Sequence, residues 1–286
     1  MLCSEVINVI ERKYPGRYAL GWDNTGLLAG RDDKQVTCIY IALDAEDETV
    51  REAVRCHADM LITHHPLIFG GLKRITNQDF IGRRILELIR HDISYYAMHT
   101  NYDVAGMGKL AAGMMGLKRQ EVLEVTCEEA EDVTSAKEDL PASGYAGGDK
   151  EAGIRQEGIG RIGRLESPVT LRQCCEDVKR VFDLASVRVF GDLESKVERI
   201  AICPGSGKSV VQEAIRKRSD VLITGDIGHH EGIDAAAQGM AVIDAGHYGI
   251  EYIFIEDMRR YLAENLGGQE SVKIVTAPVR HPFVNV

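Results

Sequence analysis

The sequence predicts an α/β protein made of two related α/β halves, with mostly parallel sheets and a metal site at the facing strand ends. Three observations support this prediction. Short apolar runs alternate with amphipathic helical patterns, one stretch recurs in the second half, and histidines and acids follow several predicted strands. Strands that alternate with helices are typical of parallel sheets with helical crossovers, and ligands bind such sheets at the carboxyl ends of the strands.

The first part of the chain predicts a regular succession of elements. Apolar residues at helical spacing predict a helix at 4–14 with Ser4 as its N-cap, and residues 22–28 form a polar turn that leads into a short strand. The elements that follow are a strand at 36–43, a helix at 45–57, a strand at 60–63, a helix at 81–90, a strand at 94–98 and a helix at 107–115. We assign residues 1–126 to the first half.

The regular pattern stops in the middle of the chain. Residues 127–153 are acidic and rich in small residues, which predicts a flexible linker or loop, or else a segment that docks a partner. Residues 154–286 form the second half, and either half can be discontinuous in the sequence. Its predicted elements are a helix at 170–183, strands near 186–190 and 197–203, a strand that ends at Thr224, a short apolar run before Gly246 and a helix from His247.

The two halves share a repeated pattern. Residues 49–63 (TVREAVRCHADMLIT) and 210–224 (VVQEAIRKRSDVLIT) are identical at eight of 15 positions, and both predict a helix that leads into a strand. Each half also has a histidine at a strand end followed four residues later by an acid, His99 with Asp103 and His247 with Glu251. Two such matches in the same order indicate an internal duplication, so the halves can form one site where their strand ends meet.

The composition excludes several classes of protein. The chain of 286 residues is 44% hydrophobic and 27% charged, which is typical of a globular protein. It has no apolar run of about 18 residues and no secretion signal, so we expect a cytoplasmic protein without a membrane segment. The net charge of −10 argues against a broad nucleic-acid surface. The seven cysteines form no C-x-x-C pair, so we expect reduced thiols.

The residues that follow the strands are typical metal ligands. His64 and His65 come directly after the strand at 60–63, and Pro66 prevents the strand from continuing through them. His247 and Glu251 are four residues apart, so both can point from one helical face to the same place. Neutral imidazoles and carboxylates suit Zn, Fe, Mn, Co or Ni, and one carboxylate can bridge two ions.

These residue types predict a site for two divalent ions per chain, with Zn, Fe and Mn as the candidates. We assign His64 and Asp103 to one ion, His65 and His247 to the other, and Glu251 as the bridge. Few protein ligands per ion leave positions open for water and substrate, which is typical of catalytic metal sites.

Other polar residues near the strand ends have two interpretations each. His99 either supports catalysis, by orienting Asp103 or moving protons, or is a hydrogen-bonded histidine at a strand end. Asp226, His229 and His230 follow the second Leu-Ile-Thr strand, where Gly225 and Asp226 replace the histidine pair. His229 and His230 are either substrate contacts at the rim of the cavity or a solvated helix start.

Two glycine-containing segments resemble nucleotide-binding motifs without matching them. Residues 203–209 (CPGSGKS) lack the first glycine of the phosphate-binding loop, because position 202 is Ile. This segment is either a tight turn or a turn whose backbone N–H groups hold an anionic substrate group. Residues 158–163 (GIGRIG) precede a strand instead of following one, so we predict no dinucleotide cofactor.

Together these motifs resemble the GTP cyclohydrolase 1 type 2 family, the Nif-three-like or YbgI-like dinuclear metal-centre proteins. The resemblance covers nearly the whole chain, and the paired histidines followed by GHYxxE are highly specific. The motifs that carry it are residues 22–27 (WDNTGL), 62–69 (ITHHPLIF), 99–103 (HTNYD), 158–163 (GIGRIG), 222–226 (LITGD) and 244–251 (DAGHYGIE).

The resemblance implies a two-metal site on the same five residues, duplicated halves and a toroidal homohexamer whose metal centres face an inner cavity. Longer members of the family carry an additional domain inserted mid-chain, and residues 127–153 are too short and polar to be one. Pro204 departs from the family, whose members usually have Gly there, and Pro offers no N–H to an anion.

These features predict a dinuclear metal-dependent hydrolase with a small-molecule substrate. Two cations would lower the pKa of a bridging water, and the resulting hydroxide would attack the polarised bond. If the family name describes this protein, the substrate is GTP, opened at C8 of its purine ring, with Glu251 and His99 as catalytic residues. Phosphoester and amide bonds suit the same metals. The alternative is a metal-binding regulatory or scaffold protein without turnover.

Overall fold

The computed structural model describes residues 1–130, 154–266 and 272–284 of the chain. The strands in these residues form two mixed sheets, one of five strands and one of six. Within the described ranges, no helix is both long and apolar enough to cross a membrane.

The first sheet combines strands from the beginning of the chain with one from near its end. The elements are α1 (Cys3–Lys13), a 3₁₀ turn (Gly16–Tyr18), β1 (Gly26–Ala29), β2 (Cys38–Ala42), α2 (Asp47–Arg55), β3 (Met60–Thr63), α3 (Phe80–Arg90), β4 (Ser94–Ala97) and, near the end of the chain, β11 (Lys273–Thr276). The strand order is β1-β4-β3-β2-β11. Strand β1 is antiparallel to β4, and the other neighbouring pairs are parallel.

The remaining elements form the second sheet and its helices. They are α4 (Thr100–Tyr102), a π-helical turn (Asp103–Met107), α5 (Gly108–Met114), β5 (Lys118–Ala130), β6 (Ile154–Thr170), α6 (Leu171–Val181), β7 (Arg188–Phe190), β8 (Lys196–Ser206), a 3₁₀ turn (Gly207–Val210), α7 (Val211–Arg216), β9 (Val221–Gly225), α8 (His229–Ala237), β10 (Ala241–Asp244), α9 (His247–Glu251) and α10 (Ile253–Asn265). The strand order is β5-β6-β8-β9-β10-β7.

The prediction of mostly parallel sheets is wrong for the second sheet. Only β8, β9 and β10 are parallel neighbours there, whereas β5, β6 and β7 each pair antiparallel. The long strands β5 and β6 carry many Glu, Lys and Arg residues, so their sequence lacks the apolar run that marks a buried strand. An α/β fold with two mixed sheets is the correct description.

The predicted linker is partly strand. Cys127–Ala130, which we assigned to it, are the last residues of β5, where they pair with the first residues of β6. Residues 131–153 lie outside the described residues. The division into two halves stays a prediction, and β11 pairs with β2 although it follows all the other strands in the chain.

The two copies of the repeated segment fold alike. Each forms a helix, α2 or α7, followed by an inner parallel strand, β3 or β9. Along these strands the side chains alternate between two apolar clusters. In β9, for example, Ile223 lies in the central cluster and Leu222 in an outer one. Both faces of the strand are therefore buried, which explains its continuous apolar sequence.

The central apolar cluster extends from one sheet to the other. It contains Ile41 and Ile62 of the first sheet, Ile202 and Ile223 of the second, and helical residues such as Leu262 of α10. Full burial of one such side chain contributes about 1.5–3 kcal/mol. This shared core fixes the two sheets relative to each other, with carboxyl ends of parallel strands from both sheets at one hollow.

Candidate metal centre

The six side chains singled out in the sequence meet at this hollow. Their ligand atoms form three overlapping groups, in each of which the atoms lie within 4.8 Å of one another. The groups are His64, His65 and His99; His65, His247 and Glu251; and His64, Asp103 and Glu251. The structure therefore brings together the residues that nearly two hundred sequence positions separate.

The end of β3 places His64 and His65 side by side. The strand ends at Thr63, whose hydroxyl donates to the carbonyl oxygen of His65 at 2.8 Å. The N–H of His65 donates to the carbonyl oxygen of Leu43 at 3.0 Å. Beyond the regular strand both rings can turn the same way, and their centroids are 4.8 Å apart.

A tight turn after β10 places His247 and Glu251. Gly246 has φ 73°, a conformation that glycine adopts without strain, and its N–H donates to the Asp244 carboxylate at 2.9 Å. His247 then begins α9, so Glu251 lies one turn further along the same face. The Nε2 of His247 is 3.1 Å from Oε2 of Glu251.

Glu251 lies between two pairs of candidate ligands. Its Oε1 is 3.7 Å from Nε2 of His64, which is itself 3.5 Å from Oδ1 of Asp103. Its Oε2 is 3.0 Å from Nε2 of His65 and 3.1 Å from Nε2 of His247. Each oxygen of this buried carboxylate thus faces a different pair, as a carboxylate shared by two cations would.

All four imidazoles point Nε2 at the hollow, because an oxygen atom on the opposite side of each ring accepts a hydrogen bond from Nδ1. The Nδ1 atoms lie 2.8 Å from Met98 O for His64, 2.8 Å from Asp44 Oδ1 for His65, 2.9 Å from Asp23 Oδ1 for His99 and 2.9 Å from Asp226 Oδ2 for His247. Carbonyl and carboxylate oxygens only accept, so each Nδ1 carries the hydrogen. In the neutral ring, Nε2 then has a free lone pair for a metal.

Unpaired buried atoms show that the residues present fit a cation. Within the described part of the chain, no hydrogen bond reaches His64 Nε2, Asp103 Oδ1 or Glu251 Oε2. Leaving such an atom unpaired costs about 1–3 kcal/mol. His65 Nε2 and His247 Nε2 also face each other at 3.2 Å, and two lone pairs that close repel unless a proton or a cation lies between them. The donor atoms, imidazole nitrogen and carboxylate oxygen, are those that Zn, Fe and Mn accept.

The electrostatics of the hollow also favour positive charge. Burial lowers the pKa of His65, but the carboxylates of Asp44 and Glu251 outweigh burial and raise this pKa to about 10. The pKa of His247 rises to about 8, because the Glu251 carboxylate again outweighs burial. Burial and the charge of Glu251 raise the pKa of Asp103. Protons are attracted to the atoms that a divalent cation would bind, so the two compete.

The small-residue segment at 203–209 packs against Glu251. Gly205 has φ 75°, and a Cβ at this position would collide with the Glu251 carboxylate. Its carbonyl oxygen accepts a hydrogen bond from the hydroxyl of Thr224 at 3.1 Å. Close approach to Glu251 therefore accounts for this glycine. It lies in an irregular part of β8, where the register with β9 shifts between Cys203 and Ser206, and the 3₁₀ turn Gly207–Val210 follows. Anion binding by the segment stays a prediction.

Two other histidines near the predicted strand ends lie apart from the six candidate ligands. His229 and His230 are exposed at the start of α8, and they belong to none of the three ligand groups among the described residues. Their ring centroids are 5.3 Å from each other. Contact with a substrate at the rim stays a prediction for this pair.

The sequence interpretation missed the roles of three acids that hold the histidines. Asp44 follows β2, Asp226 follows β9, and Asp23 precedes β1, which runs antiparallel to its neighbour. All three therefore lie at the same ends of the sheets as the histidines. The signal for these roles in the sequence is an acid directly beyond a predicted strand end. For Asp226, the sequence analysis considers only that Gly225 and Asp226 replace the histidine pair of the first copy.

The chain is similar to known proteins over most of its length. The family model described as Duf34/NIF3 (NGG1p interacting factor 3) matches residues 1–282. A Streptococcus pneumoniae protein named GTP cyclohydrolase 1 type 2 homolog is 34% identical over 270 residues, which cover 92% of this chain and 91% of that protein.

Solved structures share the fold over the full length. A Bacillus cereus protein related to NIF3 has a TM-score of 0.87 and 28% identity, with 100% of this chain and 99% of that chain covered. A protein ybgI of unknown function has a TM-score of 0.77 and 22% identity, with 99% and 100% covered, and shows the fold alone.

Proposed function

This chain belongs to the Duf34/NIF3 family, and from this premise we propose that it is a metal-dependent hydrolase with two divalent cations per chain. One observation carries the proposal: buried ligand atoms of His64, Asp103 and Glu251 converge without hydrogen-bond partners among the described residues. The donor set suits Zn, Fe or Mn.

The distances support the division of ligands between the two ions. His64 and Asp103 would hold one ion, and His65 and His247 the other. Glu251 would be shared, since its two oxygens face the two pairs. Bound divalent cations supply Lewis acidity, which lowers the pKa of water towards neutrality and polarises the bond under attack.

The other residues of the chain orient ligands and handle protons. Asp44 and Asp226 keep His65 and His247 in the tautomer that presents Nε2. The Nδ1 of His99 donates to Asp23 and not to Asp103, so His99 is the group that would hold or move a proton at Nε2. The buried Asp23 carboxylate also accepts from the backbone N–H and the hydroxyl of Thr100, which fixes the ring.

We propose a nucleotide or a related small molecule as the substrate. The name GTP cyclohydrolase 1 type 2 homolog, which several relatives carry, suggests GTP. For GTP we propose ring opening at C8 of the purine with loss of formate. Phosphoester and amide bonds suit the same ligand set, so they belong in the same test.

The experiment is a screen of metal-loaded protein against GTP, other nucleotides and model phosphoesters, with formate and phosphate release as readouts. Glu251→Gln and chelated protein are the metal-depleted states. Glu256→Gln is the matched control, because this exposed glutamate on α10 pairs only with Arg259 among the described residues. We expect turnover in the wild type and in E256Q. In E251Q we expect a loss of at least about 10²-fold, because removing even a residue that only orients a metal ligand costs about 10–100-fold.

Two outcomes would contradict the hydrolase. Turnover that survives both chelation and E251Q would place the chemistry elsewhere. Full metal occupancy without turnover of any substrate would favour a metal-binding regulatory or scaffold protein that uses the same ligands.

A further inference from the structure

Two exposed aromatic rings flank His99 at the edge of the metal centre. Trp22 is 65% exposed and Phe69 59% exposed. Their ring centroids each lie 5.9 Å from that of His99, at interplanar angles of 78° and 86°. The His99 ring is in turn 5.4 Å from His64 and 5.7 Å from His65. One imidazole therefore separates the exposed rings from the candidate ligands.

Phe69 lines an open hollow of about 460 Å³, and Asp23 and Asn24, which follow Trp22 in the chain, line it too. Its lining includes Asp23, Asn24, Ile68, Phe69, Leu72 and Ile75. Asp23 is shared with the metal centre, since its carboxylate accepts the Nδ1–H of His99. Ligand pockets of proteins typically enclose about 300–1,000 Å³. The hollow is thus large enough for a small molecule, and Asp23 connects its wall to His99.

The segments that carry the two rings are fixed to each other. The side-chain amide of Asn24 donates to the carbonyl oxygen of Ile68 at 2.6 Å, two residues from Trp22 and one from Phe69. On the N-terminal side of Trp22, the N–H of Leu20 donates to the hydroxyl of Thr100 at 2.9 Å. The backbone segments that carry Trp22 and Phe69 are therefore held in place before any ligand binds, which lowers the entropic cost of binding.

We infer that Trp22 and Phe69 form a stacking surface that receives an aromatic heterocycle, such as a nucleobase, beside the metal centre. Flat rings bind bases through their π-faces, and each base–aromatic stack contributes about 1–3 kcal/mol. Leu72 and Ile75, both exposed, extend the apolar surface around the rings. The inference rests on the proposed function only in naming the stacked ring as part of the substrate.

Trp22 makes the inference directly measurable, because it is the only tryptophan of the chain. We expect guanosine monophosphate to change the tryptophan emission of the full-length, metal-loaded protein saturably, with excitation where guanine does not absorb. Ribose 5-phosphate and inorganic phosphate lack the ring and should leave the emission unchanged.

Substitutions distinguish this stacking surface from a second hollow, which lies next to Gly246. Phe69→Leu and Trp22→Leu should raise the Kd for guanosine monophosphate about tenfold, measured by calorimetry, without changing the metal content. Phe283→Leu is the control, because Phe283 is also 59% exposed and lines the hollow of about 600 Å³ next to Gly246. The Kd of F283L for guanosine monophosphate should equal that of the wild type.

Three results would overturn the inference. Ribose 5-phosphate could bind as tightly as the nucleotide, or F283L could weaken binding while F69L does not. Alternatively, F69L and W22L could change the mass of the assembly and leave the Kd unaltered, which would make the rings a contact between copies of the chain. Binding without turnover would support the stacking surface and refute only the hydrolase.

Discussion

The four imidazoles at the centre differ in what holds them. The backbone carbonyl of Met98 orients His64, whereas carboxylates orient His65, His99 and His247. A carboxylate also makes the ring a stronger ligand, because its charge stabilises positive charge on the imidazole. The metal affinity of His65 and His247 therefore depends on residues that touch no metal.

Removing an orienting carboxylate should weaken metal binding. We expect Asp44→Ala and Asp226→Ala to lower the affinity for the added cation about 10–100-fold, because Nδ1 loses its acceptor. The measurement is a competition titration with a chromophoric chelator. Asp234→Ala, which removes an exposed acid of α8, is the control and should bind metal as the wild type does. Equal affinities in all three variants would refute the orienting role.

Removing a ligand should change the stoichiometry. We expect His65→Ala to lose about one equivalent of metal per chain while the fold is retained, because His64, Asp103 and Glu251 still surround the other position. Elemental analysis gives the metal content and circular dichroism the fold. An unchanged metal content in a folded H65A protein would contradict the assignment.

At the scale of elements, the site depends on turns that follow strands. β3 ends before two histidines, the irregular end of β8 packs Gly205 against Glu251, and β10 is followed by Gly246, the N-cap of α9. The π-helical turn that begins with Asp103 is another irregular element at the site, as is common for π turns. The turns and short helices that follow the strands therefore carry the candidate ligands.

The irregular end of β8 at Gly205 offers a test with a matched control. Alanine at Gly205 and at Gly239 meets a positive φ in both cases, a strain of about 1–2 kcal/mol. At Gly205 the Cβ would collide with Glu251, whereas no atom of the described residues outside the immediate chain neighbours lies within 4 Å of a Cβ at Gly239. We expect G205A to be less stable than G239A in urea unfolding and to lose metal. Equal stability and full metal content in G205A and G239A would show that the backbone at Gly205 does not support Glu251.

At the scale of the molecule, one apolar cluster joins the two sheets, and β11 links the end of the chain to the first sheet. The candidate ligands come from both sheets, with His64 after β3 and Glu251 after β10. A cation bound between them adds a link that only the folded chain can make, because the ligands are far apart in the sequence.

Removing metal should therefore destabilise the whole chain. At a free metal concentration of about 100 times Kd, each site contributes about 2.7 kcal/mol to the free energy of unfolding. We expect a chelator to lower the Tm of the wild type by several degrees and to leave the Tm of Glu251→Gln nearly unchanged. A wild-type Tm that does not respond to chelation would contradict metal binding across the sheets.

We also propose that the chain assembles as a homohexamer with the metal centres facing an inner cavity, as its resemblance to the family implies. Light scattering after gel filtration should then give six times the chain mass of 31.6 kDa. A monomer or dimer at working concentration would refute the proposal.

The sequence by itself determined the α/β class, most of the elements and the set of candidate ligands. Buried strands such as β3 and β9 are continuous apolar runs, and a histidine pair beyond one of them is visible without coordinates. The antiparallel pairing of β5 and β6 was not visible, because their charged sequences hide the strand pattern.

Only the tertiary structure decided which acids serve the histidines and where a ring can stack. Asp44 is 21 positions from His65 and Asp23 is 76 from His99, so nothing in the local pattern relates them. Likewise, Trp22 and Phe69 meet at His99 because β4, which precedes His99, lies between β1 and β3 in the sheet. Spacing along the chain shows which residues share a strand end or a helical face. Contacts between strand ends depend on strand order, which the packing of the whole core sets.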